Sequence, residues 1–66
     1  MIKYKFDVLE LLNAYGYNTS ILRQKGLLSE STIQDIRHGK MVGIKSLNTI
    51  CQLLDMQPGN IIKYEE

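Results

Sequence analysis

Apolar and polar residues change their period several times along the chain, and each change marks an element. Residues 2–6, IKYKF, alternate, with Ile2, Tyr4 and Phe6 on one side and Lys3 and Lys5 on the other, which predicts a short strand. In VLELLNAY, Val8, Leu12 and Tyr15 recur at helical spacing with Leu9 and Leu11 beside them, so Tyr15 is expected in the core. Asp7 is placed to cap this helix and Gly16 to stop it. Asn18 or Thr19 can cap a second, short helix, SILRQK, which stops at Gly26. Leu27 and Leu28 form an apolar turn, and Ser29 offers the cap of a third helix that ends at Gly39 behind the cations Arg37 and His38. After the KMVG loop, a fourth helix is predicted from about Ile44 to Asp55, with Leu47, Ile50, Cys51 and Leu54 facing the core. Gln57-Pro58-Gly59-Asn60 reads as a turn and IIKYEE as a strand. Residues 2–6 and 61–65 carry complementary charges, so an antiparallel pairing of the termini is expected, within one chain or between two.

Two short helices joined by Gly26-Leu27-Leu28-Ser29, with others packed across them, describe a helix-turn-helix at about 19–38. Leu22 supplies the inward aliphatic of its first helix. The second, about 30–38, carries only Ile33 and Ile36 as aliphatics. At about 100° per residue these two define one narrow stripe, and Ser31, Gln34, Asp35 and His38 project from the other side with Glu30 flanking them. Such a face is either plainly solvated or a reader of base edges. Glutamine suits adenine, acids accept from the cytosine amino group, and serine serves either.

With 66 residues the chain holds one domain, 1–66, which on folding buries only about 60% of the surface its unfolded chain exposes. One cysteine excludes an internal disulfide, and one histidine with one cysteine argues against a metal site; Cys51 reads as a core residue. Charges interrupt the N-terminal apolar residues, so no signal peptide or membrane span is expected and the cytoplasm is the expected location. Net charge is only +1, but residues 18–48 carry five basic and two acidic side chains, a modest basic face. Lys40 and Lys45, flanking the loop before the fourth helix, are candidates for phosphate contact, as is His38 at its helix end. Tyr4, Tyr17 and Tyr64 are candidate interface residues. No nucleophile–base pair, metal cluster or phosphate loop is present, so an enzyme is not expected.

The segment from Asn18 to about Ile62, carried by LSESTIQDIRHGK and then IKSLNTICQLLDMQPGNII, resembles the Cro/CI-type helix-turn-helix (XRE family, lambda repressor-like DNA-binding domain) over about two-thirds of the chain. The resemblance implies a mainly all-α, compact four- to five-helix domain, to which the termini can add a two-stranded antiparallel ribbon. It implies a small stand-alone transcriptional regulator that binds double-stranded DNA sequence-specifically, with helix 30–38 in the major groove. By the match, Thr19 is the phosphate-contacting start of helix two, Glu30, Ser31 and Asp35 are base-reading positions, and Lys40 lies near the DNA backbone. The residues' own chemistry adds Gln34 to the readers and His38 and Lys45 to the phosphate contacts. A homodimer is expected, because one short helix reads few bases; no cofactor and no small-molecule effector are expected. Two positions depart from the family pattern: Arg23 stands where a small residue is usual, and the turn glycine comes one place early, at Gly26, with Leu27 in its place. The rival reading is a protein-interaction module, such as an antitoxin-like partner, that keeps the fold and uses the acidic face of the third helix for a protein.

Overall fold

The computed structural model describes all 66 residues. A short strand β1 (Ile2–Tyr4) is followed by four helices, α1 (Val8–Ala14), α2 (Thr19–Gln24), α3 (Glu30–Arg37) and α4 (Ile44–Leu54). A single 3-10 turn (Pro58–Asn60) leads into a last strand, β2 (Ile62–Tyr64). The domain is therefore mainly helical, with a two-stranded antiparallel sheet made within the chain from its two ends. No helix is long and apolar enough to cross a membrane.

Local chemistry sets the helix starts. Asp7, Asn18 and Ser29 are extended, and each side chain accepts a hydrogen bond from the backbone N–H three residues on, at Glu10, Ile21 and Thr32. Each cap satisfies one of the N–H groups that a helix start leaves unpaired. Asn18, not Thr19, is thus the cap of α2, and Thr19 is its first helical residue. The helix-turn-helix closes at Gly26, whose φ of +65° is left-handed, and the N–H of Leu27 then reaches back to the Leu22 carbonyl at 2.9 Å. The early glycine moves the left-handed position forward by one residue, so Leu27 needs no positive φ.

One hydrophobic cluster holds the elements together. It joins Val8 and Leu12 of α1, Leu22 of α2, Leu28 of the turn, Ile33 and Ile36 of α3, Leu47, Ile50 and Leu54 of α4, and Ile61. Cys51 is half-buried at its edge. Tyr15 is a correction to the pattern: it is 49% exposed. Helix α1 ends at Ala14, and Tyr15 is its C-terminal cap, with its N–H on the Leu11 and Leu12 carbonyls. Seven residues present only two buried positions, Val8 and Leu12, before Gly16 turns the chain. Helix α4 likewise stops one residue before the expected end, because Asp55 takes a left-handed conformation with φ 54°.

The 3-10 turn delivers Ile61, fully buried, into the core and so anchors the ribbon. Register places Ile2 opposite Tyr64, Lys3 opposite Lys63 and Tyr4 opposite Ile62. Two lysines facing one another would repel. Glu65 sits between them, 3.2 Å from Lys3 Nζ and 3.1 Å from Lys63 Nζ. Those two ammonium groups, Lys63 foremost, hold its carboxyl below the usual carboxylate range. Of the candidate interface tyrosines, Tyr4 and Tyr17 are half-buried against the core, and only Tyr64 is mostly exposed.

Candidate nucleic-acid interface

Helix α3 is built as a thin inner stripe under a polar outer face. Ile33 and Ile36 are buried, at 0% and 6% exposure. Around the outside, Glu30, Ser31 and His38 are exposed, and Gln34 and Asp35 are half-buried. The structure therefore brings the four candidate base readers, Glu30, Ser31, Gln34 and Asp35, onto one side of one helix. Ser29 fixes the start of that side: besides capping the Thr32 N–H, its hydroxyl donates to Thr32 Oγ1 at 2.9 Å.

The four are not equivalent. Arg23, near the end of α2, reaches across the turn and binds Glu30 with Nε and with its terminal Nη2, the latter at 3.2 Å from Oε1. Gln34 Nε2 donates to the same Oε1 at 2.9 Å, from one helical turn on. These donors, Gln34 first and Arg23 next, keep the Glu30 carboxyl below its ordinary range. Arg23 is exposed, which explains why a long side chain is accommodated where a small one is usual: it leaves the core side and lies along the face of the helix pair. Pairing with an acid is one of two readings the sequence allows for Arg23, the other being phosphate contact, and the structure gives that acid as Glu30. The signal was there in the seven-residue separation of an Arg and a Glu across a tight turn, but that spacing has no fixed geometry until the turn is known.

The candidate phosphate contacts sit around this helix. Thr19, half-buried, lines the same open groove as Ile36, Arg37 and Gly39 at the far end of α3. His38 is the exposed C-terminal cap of α3. Lys40 is exposed in the following loop, where its N–H donates to the Asp35 carbonyl at 2.7 Å. Lys45 is exposed in the first turn of α4, whose cap, Gly43, has no side chain to fill the helix's first N–H groups. Those groups, with Lys45 beside them, suit an anionic oxygen. Ile44, next to Lys45, is 81% exposed, a large apolar side chain on this rim that the pattern treated only as a helix start.

The ribbon braces the loop that carries Lys40. The Tyr4 hydroxyl donates to the Lys40 carbonyl oxygen at 2.9 Å. Burial pushes the Tyr4 phenol above its usual pKa, so it stays a neutral donor. Tyr4→Phe is expected to cost about 1 kcal/mol by denaturant unfolding and to weaken DNA binding through the freed loop. Unchanged stability would show that the brace is idle.

Comparison with curated proteins and with solved structures returns no match. A family model does match: that of the Cro/C1-type HTH DNA-binding domain, over residues 8–66. The match takes in all four helices, the three side-chain caps except Asp7, and the entire outer face of α3. With nearly the whole chain covered, and with a capped helix pair closed by Gly26 at its centre, this protein belongs to the Cro/C1-type HTH DNA-binding domain family.

Proposed function

We propose that this protein is a transcriptional regulator that reads a specific double-stranded DNA sequence with α3 in the major groove. The observation that carries the reading is the outer face of α3, where Glu30, Ser31, Gln34 and Asp35 lie together above a stripe of two buried isoleucines. Short hydrogen-bonding side chains at the start of such a helix are the groups that base edges accept. Thr19, His38, Lys40 and Lys45, with the open N-terminus of α4, position the helix by phosphate contact, and phosphate contacts carry no sequence information themselves.

The acids on α3 are the feature that favours a protein partner instead. Arg23 offsets one of them, because Glu30 is already paired, and this leaves Asp35 as the one unbalanced acid of the face. The protein acts as a homodimer on a pseudo-palindromic site, since a single eight-residue helix reads too few base pairs for useful selectivity. Ile2 and Tyr64, cross-strand partners that are 50% and 72% exposed, give the ribbon an apolar face suited to such an assembly.

Selection from random-sequence DNA tests the reading. The wild-type protein is expected to enrich a motif with two related half-sites. Ser31→Ala combined with Asp35→Ala is expected to change the bases chosen while leaving the unfolding curve nearly unmoved, because neither side chain is in the core. No enriched motif would sink the regulator reading in favour of the protein-partner one. Collapse of the fold in the double variant would make those two side chains structural. Sedimentation checks the assembly: a strict monomer, free and on DNA, rules out the symmetric site.

A further inference from the structure

We infer that Glu30 acts on the groove through Gln34: Arg23, Glu30 and Gln34 form one unit in which Gln34 touches the base, an adenine, and the other two are positioning residues that fix its amide. The inference rests on the DNA-reading proposal and sharpens it.

The chemistry of the three groups fixes the arrangement. An ionised carboxylate only accepts hydrogen bonds. The Gln34 amide must therefore turn its NH2 toward Glu30 Oε1, 2.9 Å away, and the assignment of its oxygen and nitrogen follows. What remains of the amide is its carbonyl oxygen and one N–H. That is an acceptor beside a donor, the pair that matches the N6 amino group and N7 of adenine in the major groove. Glu30, by contrast, has both oxygens engaged: Oε2 by Arg23 Nε, and Oε1 by Arg23 Nη2 and Gln34. Three of its roughly four acceptor sites are taken, and only Oε2 keeps one.

Arg23 makes the arrangement compatible with DNA. A bare carboxylate at the start of α3 would meet the phosphates at a cost, and a side-on guanidinium cancels its charge where it stands. Part of the guanidinium stays free for a phosphate oxygen. In solvent such an exposed pair contributes little to folding. Its role is to hold Gln34 in one rotamer before contact, which removes part of the ordering cost of binding.

The test is DNA selection carried out in parallel with the wild-type protein and with Gln34→Ala, Glu30→Ala and Glu30→Gln. Gln34→Ala and Glu30→Ala are expected to flatten the same single A·T column of the motif, each by about tenfold in preference, and to leave the other columns in place. Glu30→Gln keeps an acceptor for the Gln34 amide and is expected to retain that column. Glu30→Ala and Gln34→Ala acting on different columns, or a G·C preference at the shared one, would overturn the inference while leaving the DNA reading intact. A wild-type protein that enriches no motif overturns both. A second readout needs neither DNA nor truncation of Glu30. The Gln34 side-chain amide resonances of the free protein are expected to move in Arg23→Ala, although the two side chains share Glu30 Oε1 and no hydrogen bond joins them; resonances that stay put overturn the proposed unit.

Discussion

Ile33→Ala is expected to remove a large part of this domain's stability and to shift its unfolding to much lower denaturant. Ile33 is completely buried and, with Ile36, is one of the two residues through which α3 joins the common core. Truncating a buried isoleucine to alanine costs about 2–5 kcal/mol, from lost apolar contact and from the cavity left behind. A chain of this length has a total stability of roughly 3–10 kcal/mol. The substitution therefore removes a large part of what is available, and no disulfide adds a reserve. Circular dichroism during urea unfolding measures it directly. Ser31→Ala, two residues away on the other side of the same helix, serves as the control and is expected to shift stability by less than about 0.5 kcal/mol. A variant at Ile33 that unfolds only slightly earlier than wild type would mean that α3 is held by something other than its stripe.

That contrast between two neighbouring positions explains what could be read from residues alone. Helix starts are local events, and Asp7, Asn18 and Ser29 each announce one by a small polar side chain before an apolar period. Helix ends at Gly16, Gly26 and Gly39 are equally local, because each needs a left-handed residue and glycine takes that conformation without strain. The inner stripe of α3 and the stripe of α4 follow from period alone. Tyr15 did not, since its period was right but α1 ends one residue too soon for the third position to point inward. The ribbon was legible as a pairing and less so in its charges. Lys3 faces Lys63, and Glu65 bridges both, because Ile61 in the core sets the register before any charge can. The unit of Arg23, Glu30 and Gln34 joins residues on both sides of a turn, and the turn's geometry decides whether they meet. Single positions were therefore readable as candidates, while the contacts among them needed the fold.

The largest effect on function is expected from salt. If Lys40 and Lys45 of each protomer neutralise phosphates, a dimer releases about four counterions on binding, and the slope of log affinity against log salt is about −3.6. Affinity should then fall on the order of 10²-fold between 50 and 200 mM salt. Lys40→Ala is expected to weaken binding almost uniformly across sequences and to lower the slope by about one per protomer. Gln34→Ala should do the reverse, leaving the slope in place and changing the bases preferred. Fluorescence anisotropy on a selected site and on a scrambled one, at several salt concentrations, separates the two patterns. The net charge of +1 makes this a demanding comparison, because a nearly neutral chain has no general attraction for DNA to mask the loss of a single lysine. A flat salt response in the wild-type protein would remove Lys40, Lys45 and the open end of α4 from the interface together. Contact with the selected DNA would then rest on the outer face of α3 alone.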